Sequence, residues 1–194
     1  GRPGRPLKDT MRFIALLTIL ALAIPGLPGC SRDTPPAPGG LTLAAPPSGG
    51  DFSLDSADGR IATQNFRGQV VALYFGYTYC PDVCPTSLAA LGSALEKLTP
   101  VELAQVQPLF ISVDPERDSV ARLKDYAVFF HPKLQGLTGT PAEIAAIAHA
   151  YGASYSRQEV KSEGGYVGDH SSFVYLLAPD GRLAASLPHG TTPA

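Results

Sequence analysis

Residues 70–85 read VVALYFGYTYCPDVCP. The first eight, Val70 to Tyr77, are an almost unbroken run of β-branched, aliphatic and aromatic side chains. A strand with no polar face has to be covered on both sides, so this run predicts a central strand of an α/β sheet. From Pro85 onward, Leu88, Leu91, Leu95 and Leu98 recur with helical spacing and predict a helix over Pro85 to Leu98. Cys80 and Cys84 fall between the end of that strand and the start of that helix, the edge of a parallel sheet where sites gather.

Working outward, Gln107 to Val113 reads as a second buried strand. On the N-terminal side, Phe52 to Leu54 and Arg60 to Thr63 flank Asp58-Gly59 and predict a hairpin. Asp118 is placed to cap a helix with the apolar face Leu123, Tyr126, Ala127 and Phe130, stopped by Pro132. A short strand follows near Leu134 to Thr138. Thr140-Pro141-Ala142-Glu143 is a capping box with proline at the first helical position. Ile144, Ile147, Ala148 and Tyr151 form the apolar face of that helix, and Gly152 ends it. Ser171 to Ala178 and Leu183 to Leu187 flank Pro179-Asp180-Gly181, a second hairpin. Strand, helix, strand, helix and a terminal antiparallel hairpin is the order of a thioredoxin-like α/β domain, a central mixed sheet flanked by helices. Such a domain usually closes with one more helix. Thr192-Pro193 repeats the start signal of Thr140-Pro141, so the sequence is expected to stop where a truncated C-terminal helix would begin.

The domain occupies residues 51–194. Residues 1–30 read as a leader, with Met11, the single methionine, as its start. The apolar run Phe13 to Ile24 is too short for a bilayer span of about 20 residues but right for a secretory core. Leu27-Pro28-Gly29-Cys30 follows and resembles a bacterial lipobox, with Cys30 as the lipid-attachment residue. An uncleaved signal anchor is the alternative, and both place the domain outside the cytoplasm, on the periplasmic side. Nine of the twenty residues 31–50 are Pro or Gly, a composition that cannot order itself and reads as a tether to the membrane. The chain carries a net charge of −2 with 16% charged residues, and no basic stripe points to nucleic acid.

With Cys30 assigned to lipid, Cys80 and Cys84 remain as one pair. On a helical turn, residues four apart share a face, so the two sulfurs can converge on one metal or approach for a disulfide. A helix N-terminus stabilises thiolate, while Asp82 between the cysteines opposes a second negative charge. A bound cation relieves that repulsion and favours a metal over a bare redox pair. A structural disulfide closing so short a loop would stabilise little.

Gly76-Tyr77-Thr78-Tyr79-Cys80-Pro81-Asp82-Val83-Cys84-Pro85 resembles the hallmark of the Sco/SenC copper proteins. Ser112-Val113-Asp114-Pro115-Glu116-Arg117-Asp118 is similar to the family's second segment, and Asp169-His170-Ser171-Ser172 to its third. The resemblance implies one copper ion, Cu(I) or Cu(II), held by Cys80, Cys84 and His170. It also implies work in assembling the dinuclear copper centre of cytochrome c oxidase. The partners would be the copper-site subunit of that oxidase and other periplasmic copper chaperones or thiol reductants. Two thiolates suit Cu(I), imidazole suits either valence, and no obvious fourth ligand is present to complete a zinc site.

Three functions remain open on these residues. One is a copper metallochaperone. Another is a thiol-disulfide reductase with Cys80 and Cys84 as its redox-active pair. The third is a copper or redox sensor with a ligand-dependent loop around residues 155–170. Polar Asp169-His170 precedes a strand that in a generic thioredoxin-like oxidoreductase follows a proline, which favours a ligand there. Asp114 can orient a ligand or cap the turn before Pro115; Asp82 also stands beside the site. Tyr77 and Tyr79 are candidates for its walls. His149 reads as a structural cation late in a helix, His131 as an exposed loop residue, and His189 has no assigned role.

Overall fold

The computed structural model describes residues 47–159 and 166–192. The leader, most of the tether with Cys30, and the helix expected after Thr192 lie outside the described residues. Among the described residues no helix is long and apolar enough to cross a membrane.

A hairpin opens the domain, with β1 (Ser53–Ser56) antiparallel to β2 (Gly59–Ala62). Five strands form the central sheet: β3 (Val70–Gly76), β4 (Val106–Ser112), β5 (Gln135–Leu137), β8 (Phe173–Leu177) and β9 (Leu183–Pro188). Their spatial order is β5-β4-β3-β8-β9. β3, β4 and β5 run parallel, and β8 and β9 pair antiparallel, so the sheet is mixed. Helix α1 (Val83–Glu96) follows β3, and the short α2 (Pro100–Ala104) leads into β4. α3 (Val120–Phe130) connects β4 to β5, and α4 (Pro141–Tyr151) leaves β5. Between α4 and β8 stands a second small hairpin, β6 (Tyr155–Glu159) with β7 (Tyr166–His170).

The continuous apolar character of β3 is explained by what covers it. Alternate residues of a strand face opposite sides of the sheet. Tyr74 faces one side, stacked on Phe110, whose ring meets Tyr126 of α3. Phe75 faces the other side, against Tyr151 of α4 and Tyr175 of β8. Tyr74, Phe75, Leu73, Leu109, Phe110 and Ile111 are all essentially without solvent contact. Each such side chain contributes about 1.5–3 kcal/mol over its exposed state.

The capping box of α4 forms as its sequence requires. Thr140 Oγ1 accepts from the Glu143 N–H, and Glu143 Oε2 accepts from the Thr140 N–H at 2.8 Å. Gly152 ends the helix at φ +66°, the left-handed conformation that a C-cap demands. The same T-P-x-E signature opens α2 at Thr99. Periodicity passes over that element because five residues carry no apolar repeat. Two expectations are corrected. Asp118 does not cap α3; the Ser119 side chain does, accepting from the Arg122 N–H. His131 is not exposed: it is 8% accessible, and its Nδ1 accepts from the Lys133 N–H, because α3 ends against Gly92 of α1 and covers it. The tether's last residues dock on the domain, with Gly49 N–H donating to Ala150 O and Tyr151 Oη donating to Gly50 O.

A close contact between layers is at Gly136 of β5, where a Cβ would lie 2.6 Å from the carbonyl oxygen of Leu123 in α3. Gly136→Ala has to push a backbone, not a flexible tip. It should destabilise the domain by about 1–3 kcal/mol in urea unfolding; an unchanged midpoint would show that α3 and β5 yield freely.

Candidate metal centre

β3 ends at Gly76, and residues 77–82 turn the chain into α1. The turn is closed by Cys80 N–H donating to Tyr77 O at 3.2 Å. Cys80 then serves as a cap for the helix: its Sγ accepts from the backbone N–H of Cys84 at 3.3 Å. Asp82, the N-cap residue, makes no side-chain cap bond and stands exposed. Cys84 lies in the first turn of α1 and is fully buried. Gly76 makes room for it, since a Cβ there would stand 2.7 Å from Cys84 Sγ.

The third side chain arrives from elsewhere. His170 is the last residue of β7, not a residue of a loop leading directly into β8 as sequence reasoning placed it. Its Nε2 stands 2.9 Å from Cys84 Sγ and 3.8 Å from Cys80 Sγ. Its Nδ1 lies 3.2 Å from the Ser171 carbonyl oxygen. A carbonyl only accepts, so the proton sits on Nδ1 and the Nε2 lone pair is aimed at the sulfurs. The three ligand atoms lie within 4.8 Å of one another, a group able to hold a metal ion. For a first-row metal, bonds of about 2.3 Å to sulfur and 2.0 Å to nitrogen set donors roughly 3.5–3.7 Å apart. The two sulfur–nitrogen separations bracket that spacing. The donor set, two soft sulfurs and one imidazole, suits Cu(I).

Aromatic rings wall the imidazole. Tyr74 and Tyr77 both meet it edge-on, at 6.0 and 5.9 Å between centroids. Tyr77 is buried, whereas Tyr79 is half exposed. The Arg117 guanidinium lies 4.7 Å from the centre of the Tyr79 ring and 5.8 Å from that of Tyr77, and Arg122 also covers Tyr79, at 5.0 Å. Arg117 is in turn paired with the buried Asp114 carboxylate. Asp114 therefore connects to the imidazole through Arg117 and Tyr77. Sequence reasoning passed over Tyr74 and Arg117. Tyr74 reads as core from its strand position. Arg117 has a signal, its place in the stretch that resembles the family's second segment, but no spacing rule ties that stretch to the cysteines.

The two thiols are electrostatically unlike. Cys80 is held well below the usual thiol range, first by the neighbouring Cys84 side chain, then by that of His170 and by the backbone N–H of Cys84, against the opposing effect of burial. Cys84 is pushed up by the same contact with Cys80 and by burial.

With this geometry in view, the known relatives can be placed. The sequence profile of SCO1/SenC matches residues 42–194. The chain belongs to the SCO1/SenC family. The Bos taurus protein SCO2 homolog, mitochondrial, is 48% identical over 134 residues, which are 68% of this chain and 50% of the bovine one. This chain thus spans about half the length of that SCO1/SenC relative. The crystal structure of Arabidopsis thaliana ScoI with copper bound is 40% identical and superposes with a TM-score of 0.69, covering 75% of this chain and 90% of that one. A structure of BsSco, described with a disulfide switch and as a member of the Sco family of cytochrome c oxidase assembly proteins, is 28% identical with a TM-score of 0.56. It covers 72% of this chain and 81% of its own.

The asymmetry of the thiols is measurable. Because Cys80 is lowered, its thiolate persists as pH falls. Iodoacetamide should alkylate Cys80 at a nearly constant rate between pH 8 and pH 6, where an ordinary thiol of pKa about 8.5 loses most of its thiolate. Cys84, raised, should stay protonated and slow. Peptide mapping that found Cys84 modified first would contradict this electrostatic picture.

Proposed function

We propose that this chain binds one copper ion through Cys80, Cys84 and His170 and passes it to the copper-site subunit of cytochrome c oxidase during assembly. The observation that carries the reading is the convergence of an imidazole and two sulfurs, from positions 90 and 86 residues apart in sequence, on one point at the sheet edge. The copper bound by the Arabidopsis relative and the oxidase-assembly description of BsSco support it. Copper here is cargo. Three protein donors leave a coordination position open to an incoming thiolate, so the ion can change hands by ligand exchange. His170, its Nδ1 tied to the Ser171 carbonyl, presents Nε2 without rearrangement.

A second reading, thiol-disulfide exchange, is favoured by the unequal thiols and by the BsSco disulfide switch. The Cys80 thiolate would attack one sulfur of a partner disulfide, forming a mixed disulfide and releasing one partner thiolate. Cys84, on losing its proton, would attack Cys80 Sγ and release the second. The pair would end oxidised by two electrons and the partner reduced by two. The same two sulfurs serve both readings; His170 separates them.

Anaerobic Cu(I) titration of the protein should give one equivalent, lost alike in Cys80→Ala, Cys84→Ala and His170→Ala. His170→Ala should still exchange with oxidised dithiothreitol, whereas either cysteine variant should not. A His170→Ala protein that keeps its copper would remove the chaperone reading.

We further propose that the domain is extracytoplasmic and tethered through a lipid on Cys30, with residues 31–50 as spacer. Leu27-Pro28-Gly29-Cys30 after a twelve-residue apolar run supports this. Cys30→Ala in the full chain should abolish incorporation of labelled palmitate; label retained in that variant would place the lipid, or the anchor, elsewhere.

A further inference from the structure

The segment Ser112 to Asp118 supplies none of the three candidate ligands, yet two of its side chains, Arg117 and Asp118, meet the turn that carries Cys80. Asp118 has no accessible surface. A carboxylate is kept in such a place only where donors offset its desolvation, and three do. Oδ2 accepts from the Thr78 N–H at 3.0 Å and from the Ser112 hydroxyl at 2.6 Å. Oδ1 accepts from the Thr78 hydroxyl at 2.5 Å. Two of the three bonds go to one residue, which stands two positions before Cys80, inside the turn that Cys80 N–H closes on Tyr77 O. Helix α3 has no use for this carboxylate, because Ser119 caps it. The carboxylate is itself anchored from behind: Asp118 N–H donates to Asp114 O at 3.0 Å, and Ser112 Oγ accepts from the Asp114 N–H at 3.0 Å.

We propose that Asp118 is a positioning residue of the copper site, acting through Thr78 to hold the Cys80 sulfur toward Cys84 and His170. The inference rests on the copper reading and adds to it a residue that touches no metal. Cys84 is held by helix α1 and His170 by strand β7, whereas Cys80 is carried by the turn, with one bond from its sulfur to the Cys84 N–H of α1. An acceptor-only carboxylate is required there. An asparagine would offer one oxygen and two N–H donors, and could not receive all three bonds.

Asp118→Asn should therefore lower Cu(I) affinity about tenfold or more, the usual cost of losing an outer hydrogen-bond partner. It should also change the thiolate-to-Cu(II) absorption bands, which report the number and geometry of bound sulfurs. Thr78→Val, which removes only the bond to Oδ1, should move both readouts in the same direction by less, and Thr78→Ser should restore wild-type values. Because the two residues act as one unit, Thr78→Val should add nothing in the Asp118→Asn background. Wild-type spectrum and affinity in Asp118→Asn, or losses that simply add in the double variant, would overturn the positioning role. Should Asp118→Asn fail to fold, Thr78→Val against Thr78→Ser decides: a copper site unchanged in both overturns it. Wild-type protein that takes up no copper sinks the copper reading itself, whereas an unaltered variant beside a copper-loaded wild type sinks only this inference.

Discussion

Parallel pairing of β3 with β4 sets Gly76 opposite Ser112, and the rest of the site depends on that register. It brings the loop carrying Cys80 and the loop carrying Asp118 out of the sheet side by side. A slip of one residue would turn Tyr74 and Phe75 to the wrong faces, and both faces are covered, so the register is strongly held. On the other side of β3, antiparallel β8 pairs Val174 with Tyr74, so β8 starts at that same edge and runs away from it. The β6–β7 hairpin, which precedes β8, ends in His170 there. The candidate metal centre thus forms where the end of β3 and the end of β7 meet at one edge of the central sheet.

Electrostatics at that edge are arranged in two layers. Nearest the sulfurs, the start of α1 offers backbone N–H groups to Cys80, so the thiol least covered by protein is also the one lowered. Behind it, acids and a base are sorted by burial. Asp118 and Asp114 are buried and each has a donor: Thr78 and Ser112 for one, Arg117 for the other. Arg117 also spreads over Tyr77 and Tyr79, tying the second loop to the aromatic wall of the imidazole. Asp82, by contrast, stands in solvent, where its charge weighs less on the thiols than its position between them suggests.

Much of the fold was legible because its signals are local. The two-sided strand at Val70, the leucine repeat of α1, the Thr140–Glu143 capping box and the Asp58-Gly59 and Asp180-Gly181 turns each lie within one element. The misreadings share the opposite property. Asp118 has the composition of a helix cap and sits one residue from the true one, yet its carboxylate faces a loop 40 residues away. His131 before Pro132 looks like a loop residue, and only the packing of α3 against α1 buries it. Strands β6 and β7 pair across a Gly-rich stretch with no apolar alternation to announce them.

The sequence alone determined the kind of chemistry available: two thiols one helical turn apart at the end of a buried strand, and a histidine in a segment too polar for core. It determined that much because residue type and short-range periodicity are written along the chain. Only the tertiary structure decided that the Nε2 of His170 stands 2.9 and 3.8 Å from those sulfurs, and that a buried carboxylate bonds the turn leading into Cys80. Those distances depend on strand register and layer packing, which sum many weak contacts between residues far apart in sequence, and no local pattern encodes such a sum.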